Sequence, residues 1–138
     1  MFKRILLATD GSPVSERQVL YAEHLARVEA AEIIVLHAYT PPERYESYDG
    51  YDQLLQRYQV VAQAVVDDVV NALHDYGIAA TAELRVGPAA EAIVSAATEH
   101  AADLIIIGTR GSSNLREIVG GVSTQVLRFA HCPVLQIP

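Results

Sequence analysis

The sequence predicts an α/β fold: a doubly wound, five-stranded parallel sheet with helices on both faces. Three observations predict it. Short apolar runs recur at 4–9, 31–39, 78–86, 103–108 and 132–138, the length of strands rather than helices. A segment with helical spacing or helix-favouring composition separates each run from the next. Most of the first four runs also end in a turn cluster rich in Gly, Pro, Ser or Asp. Strands alternating with helices pair in parallel through right-handed crossovers. The chain has 138 residues, which fits one domain spanning 1–138.

The elements follow in order. "RILLAT" (4–9) is a short run suited to a strand buried on both faces, and "DGSP" closes it. Asp10 or Ser12 caps the next helix and Pro13 suits its first turn. Val14, Leu20, Tyr21, Leu25 and Val28 give an approximate helical stripe over 14–29. "AEIIVLHAY" (31–39) is the second strand, stopped by Pro41 and Pro42. Residues 41–53 have no clean period and read as a long loop. Together with Tyr58 they make a tyrosine-rich stretch over 43–58. Val61, Val65, Val66, Val69, Val70 and Leu73 recur at helical spacing through 60–73, and Gly77 is a candidate C-cap. "IAATAELRV" (78–86) alternates as a strand. The alanine-rich 87–101 opens with Gly and Pro and reads as a helix. "DLIIIG" (103–108) is the most buried strand. A helix over 122–130 and a last short strand in "CPVLQIP" complete the pattern.

Composition narrows the function. The chain is 51% hydrophobic, which excludes a disordered segment. No apolar run approaches the roughly 20 residues that span a bilayer. The first residues read as a strand and not as a signal peptide. The one cysteine, Cys132, rules out an intrachain disulfide and fits a reducing cytoplasm. A formal net charge of −7 with scattered Lys and Arg argues against nucleic acid as a partner.

Ligands in doubly wound sheets bind beyond the carboxyl ends of the strands, near a switch point. Those ends carry "ATDGS", "HAYTPP", "RVGPA" and "IGTRGSS". Gly108 follows a strand and Gly111 comes three residues later. Ser112, Ser113 and Asn114 add side-chain donors, and Arg110 adds a charge. Gly121, Val122 and Ser123 open a helix, whose free N–H groups and dipole favour an anion. Two readings compete here: a phosphate cradle, or glycines that only make tight turns. There is no G-x-x-x-x-G-K-[ST], no G-x-G-x-x-G after the first strand and no G-x-S-x-G.

Taken together, "ILLATDGS", "VLHAY", "VGPAAEAIVSAATEHAADLIIIGTRG" and "STQVLRFAHCPVLQIP" resemble the universal stress protein family from end to end. The resemblance implies the Rossmann-like, adenine-nucleotide-binding variety of the fold. Nucleotide-binding members of the family carry G-x2-G-x9-G-[ST]. Here Gly108, Gly111 and Gly121 satisfy the spacing, but Val122 stands where a hydroxyl belongs. Aligned instead on "VSTQVL", Gly120 is the motif glycine, Gly121 takes the hydroxyl position and the spacing is eight. Either way the sequence departs by one residue or one hydroxyl, with Ser123 as a possible substitute donor. The resemblance further implies that Asp10 meets the adenosine part and that Ala8 and Thr9 line the base. The Ala38 backbone would contact adenine, and Ile107 would pack near sugar or base. Asp10 also reads as a helix cap, and both roles are compatible.

Other residues carry less. His24, His37, His74, His100 and His131 show no metal-ligand spacing. His37 reads as a satisfied structural histidine, and His131–Cys132 as structural. Asp67 and Asp68 read as solvated charges. The tyrosine stretch reads as a lid, a partner surface or an ordinary loop. No catalytic base beyond Asp10 stands near the candidate site, so no catalytic or metal-binding residue is assigned and at most weak ATP hydrolysis is expected.

The expectation is a small cytoplasmic stress-response protein that binds ATP, or ADP or AMP, as a structural or regulatory ligand, with Mg²⁺ on the phosphates. Its expected contacts are Ala8, Thr9, Asp10, Ala38, Ile107, Gly108, Arg110, Gly111, Gly121, Val122 and Ser123. The last strand, as a sheet edge, suits pairing with a second copy, and the resemblance implies a homodimer there. A further protein partner is left unidentified. The alternatives are a nucleotide-free homodimeric interaction module and a slow ATPase.

Overall fold

The computed structural model describes residues 1–11, 15–109 and 121–138. Five strands form one sheet: β1 (Arg4–Ala8), β2 (Glu32–Tyr39), β3 (Ala80–Val86), β4 (Leu104–Gly108) and β5 (Val134–Ile137). All pairings are parallel, in the order β3-β2-β1-β4-β5. The chain winds outward from β1 to β3, then crosses back to β4 and on to β5. The winding therefore reverses between β1 and β4. Leu7 lies between Val35 on one side and Ile106 on the other.

Helices α1 (Ser15–Glu29) and α2 (Tyr51–Asp75) cover one face, and α3 (Ala89–Glu99) and α4 (Val122–Phe129) the other. Alternation along the strands feeds two cores. Ile5, Leu7, Ile33, Val35 and Ile106 point to the α1–α2 side. Leu6, Ile34, Leu36, Ile105 and Ile107 point to the α3–α4 side. Leu6 and Leu7 are adjacent and both fully buried, so both faces of β1 are dry. Burying such a side chain contributes about 1.5–3 kcal/mol, which explains why β1 and β4 read as unbroken apolar runs.

Two helices differ from the sequence expectation. The inward row of α1 is Gln18, Ala22 and Ala26, all buried. Leu20 and Val28 are 58% and 67% exposed, and Tyr21 is exposed too, so the expected stripe lies partly on the wrong side. The small Ala22 and Ala26 let α1 approach the sheet closely, Val19 and Leu25 pack against the edge of the core, and Leu20, Tyr21 and Val28 are left outside. Helix α2 begins at Tyr51 and not near 60. Gly50, at φ +84°, starts it, and the Leu54 N–H bonds the Gly50 carbonyl at 3.1 Å. The first two turns carry no buried residue. They extend a helix anchored by Ala62, Val66 and Leu73, since adding turns is easier than nucleating one. Val60 and Val61 are exposed, and the buried row includes Ala62 in place of Val61. The tyrosine stretch is thus a single 3-10 turn (Glu43–Tyr45), a connection, and the start of α2.

Helix ends are well determined. At the end of α2 the Gly77 N–H bonds the His74 carbonyl at 2.9 Å, and the Ile78 N–H bonds that of Leu73 at 3.0 Å. Gly77 has φ +77°, which makes this a Schellman motif with Gly at its left-handed position. The corresponding positions after α1 and α3 are alanines, Ala30 at φ +54° and Ala101 at φ +52°. No helix among the described residues is long and apolar enough to cross a membrane.

Candidate functional site

A crevice of about 560 Å³, partly open to solvent, lies at the carboxyl ends of β1, β2 and β4. Ala8, Thr9, Asp10, Ala38, Ile107, Gly108, Val122 and Ser123 all line it. These eight come from three strand ends and the start of α4, and they meet at the point where the winding reverses, as doubly wound folds require. Of the other expected contacts, Gly121 caps α4 beside the crevice. Arg110 and Gly111 lie outside the described residues. So do Ser12, Pro13, Val14, Ser112, Ser113, Asn114 and Gly120, and with them the choice between the two motif alignments and the Ser12 cap.

The floor is fixed by hydrogen bonds. Thr9 is buried, and its N–H donates to the Leu36 carbonyl at 2.9 Å. The Thr9 hydroxyl accepts from the Gly11 N–H at 3.2 Å. Nδ1 of His37 lies 2.8 Å from the Thr9 carbonyl. A carbonyl can only accept, so Nδ1 carries a proton and donates. His37 is therefore a structural histidine that braces β2 against the end of β1. Gly11 turns the chain away at φ +79°, and a Cβ there would sit 2.9 Å from Val65 Cγ2 on α2. Only glycine satisfies both the conformation and the contact.

The α4 side is built differently. Gly121 precedes the helix with φ −71° and ψ −176° and no side-chain cap. The first helical bond runs from the Gln125 N–H to the Gly121 carbonyl at 3.1 Å. The N–H groups of the first turn, at Val122, Ser123 and Thr124, have no partner within the helix. Together with the helix dipole they favour an anion. Ser123 is buried and faces the crevice; Val122 puts an apolar surface there.

Sequence reasoning missed four lining residues: Gln18, Leu36, Ala89 and Ile93. Leu36 and Ile93 belong to the apolar core and close the crevice from below. Ala89 opens α3, and its small side chain leaves room above the sheet. Gln18 lies on α1, where no glycine or turn signal draws attention. No tyrosine lines the crevice. Tyr39 and Tyr58 instead line a separate recess with His37 and Leu54.

No group of three or more His, Cys, Asp or Glu among the described residues is placed to hold a metal ion. His100 Nε2 lies 2.9 Å from Glu83 Oε1, and His74 Nε2 lies 2.9 Å from the Ala80 carbonyl. Burial pushes the Cys132 thiol above its usual range, with the charge of Asp103 adding to the shift. Asp67 and Asp68 are exposed.

A parallel, doubly wound sheet with a crevice at its switch point defines a Rossmann-like α/β fold. Comparison with known proteins narrows this. The universal stress protein family model matches residues 1–138, and the chain belongs to that family. The Thermus aquaticus universal stress protein in QAH/OAS sulfhydrylase 3′ region is 37% identical, over 99% of both chains. Universal stress protein MJ0531 of Methanocaldococcus jannaschii is 29% identical over 99% of this chain and 82% of its own. Among solved structures, MJ0577 of the same archaeon aligns with a TM-score of 0.86 at 29% identity, covering 99% of this chain and 96% of that one. A universal stress protein in complex with cAMP aligns with a TM-score of 0.77 at 25% identity, over 99% and 96% of the two chains.

Proposed function

We propose that this chain binds an adenine nucleotide in the switch-point crevice, as a structural or regulatory ligand and not as a substrate to be turned over. The observation that carries the reading is the junction of two unlike surfaces. A dry floor, made by Ala8, Leu36, Ile93 and Ile107, meets the first turn of α4, whose N–H groups have no partner within the helix. A flat apolar base and a phosphate are the two ends of a nucleotide. The cAMP complex of a relative supports an adenine nucleotide in particular.

In this reading Ala8, Thr9 and Ile107 pack on the base or sugar. The Ala38 backbone reads the base edge, and Asp10 accepts from ribose hydroxyls. The amides of Gly121, Val122 and Ser123 hold phosphate, and Gly108, Arg110 and Gly111 are the remaining expected contacts. Mg²⁺ would be held by the phosphates, because Asp10 is the one carboxylate lining the crevice among the described residues. With Asp10 used for ribose, no carboxylate among the described lining residues is left as a general base for rapid hydrolysis. Slow turnover would show as phosphate release lost in Asp10→Asn.

The domain is taken to be 1–138, working in the cytoplasm as a homodimer through β5, which is an edge strand of the sheet. Sedimentation as a monomer at micromolar concentration contradicts the dimer. A nucleotide-free interaction module is the second reading, favoured by Val122 at the hydroxyl position. Denaturing freshly purified protein and assaying the supernatant for nucleotide decides between them. The reading predicts adenine nucleotide near one per chain or, from empty protein, stabilisation by about 2.7 kcal/mol at 100 times the dissociation constant. Empty protein with no thermal shift at millimolar Mg-ATP contradicts it.

A further inference from the structure

Besides Thr9 and Ser123, one further buried polar side chain lines the crevice among the described residues. Gln18 projects from the inward row of α1 and is only 4% exposed. Its amide lies where β1 and β4 part. Pairing between those strands runs through Leu7–Ile106 and stops. Beyond that pair, the amide joins the next groups. Its N–H donates to the Ala8 carbonyl at 3.0 Å, and its oxygen accepts from the Gly108 N–H at 3.2 Å, with oxygen and nitrogen assigned by the groups they face. Both strand residues line the crevice, and so does Gln18.

We propose that Gln18 is a positioning residue of this crevice, a side-chain clamp that bridges the switch point and commits the Gly108 N–H to the protein instead of the ligand. The inference rests on the nucleotide reading and deepens it. The strands must separate here for a ligand to enter between their ends. Separation leaves a donor on one side and an acceptor on the other without a partner on the facing strand. An uncharged group with one donor and one acceptor satisfies both and holds the gap at a fixed width. A primary amide carries its donor and its acceptor on two separate atoms at one end, so each can face a different strand. It follows that the anion-facing donors nearest the floor come from the α4 side, and that Gly108 contributes its lack of a side chain more than its N–H.

The pattern makes a specific test. Gln18→Met keeps length and bulk but leaves the Ala8 carbonyl and the Gly108 N–H unpaired. Gln18→Glu depends on pH. Ionised, it accepts from Gly108 but cannot donate to Ala8, and burial penalises its charge. Protonated, its O–H donates to Ala8 and its carbonyl accepts from Gly108, as the amide does. Burial raises the pKa of such a carboxyl, so the amide-like state returns as pH falls.

The experiment measures adenosine and AMP affinity by calorimetry for wild type and both variants, alongside the unfolding midpoint of each free protein. Adenosine carries no phosphate that titrates in this range. Gln18→Met should weaken both ligands by about tenfold. With adenosine as the ligand, Gln18→Glu should match that loss near pH 8 and recover most of it near pH 5.5, while wild type changes little. Variants that stay folded yet bind like wild type, or a Gln18→Glu deficit that ignores pH, overturn the clamp alone. Wild-type protein that binds neither ligand overturns the nucleotide reading, and this inference with it.

Discussion

The two walls of the crevice are made by opposite means. On the strand side nearly every polar group is already engaged: Thr9 with Leu36, Gly11 and His37, and Ala8 and Gly108 with Gln18. On the α4 side, Gly121 has no side-chain cap and the first helical N–H groups have no partner in the helix. The difference teaches how the site divides its labour. A wall whose hydrogen bonds are internally satisfied selects by shape and apolar contact. A wall whose first donors are not used within its own helix selects by charge. Rigidity lies with the first and anion affinity with the second.

The largest effect expected from breaking this division is at Gly11, which anchors the strand-side wall. Gly11→Val adds a β-branched side chain at φ +79° and drives its Cβ to 2.9 Å from Val65 Cγ2. It should lower unfolding free energy by about 2–4 kcal/mol, read by denaturant titration. Wild-type stability would show that the turn moves freely and that the wall is not rigid.

The second change sharpens the α4 side. Val122→Ser restores a hydroxyl at the first position of α4, facing the crevice. It should tighten ATP up to about tenfold and leave adenosine nearly unchanged, since the new donor meets phosphate. Equal gains for both ligands would mean that phosphate does not lie against α4.

The smallest effect lies away from both walls and serves as a control. Ala30→Gly and Ala101→Gly relieve left-handed alanines at the ends of α1 and α3. Each should stabilise the protein by about 0.5–1 kcal/mol without altering ligand affinity. A shift in affinity would mean that the helix ends are coupled to the crevice.

Much of this was legible in the sequence, and for identifiable reasons. The strands announce themselves because parallel strands covered on both sides must be continuously apolar, as in "LIII" at 104–107. The carboxyl-edge segments were readable because the fold class fixes where the strand ends meet, while the individual contacts Ala8, Thr9, Asp10, Ala38 and Ile107 came from the family resemblance. What was not legible follows from how α1 and α2 pack. The sheet-facing row of α1 is Gln18, Ala22 and Ala26, and small or polar residues leave no hydrophobic stripe to read. Leu20 and Val28 mimic one on the wrong side. The early turns of α2 are exposed and carry no period, so their helix is visible only from the core contacts further along it. Gln18 escaped for the same reason as the α1 row. A polar residue inside a helix looks like a surface residue until its two partners, on two different strands, are in view.

The most direct test of the central claim is a residue-resolved titration of isotopically labelled, nucleotide-free protein with Mg-ATP, followed by NMR. The account predicts saturable shifts at Thr9, Ala38, Ile107, Gly108 and Ser123, reaching completion near one nucleotide per chain. No saturable shift at these residues at millimolar ATP, or shifts confined to the separate groove lined by Val19, Leu20, Val61 and Val65, would contradict it.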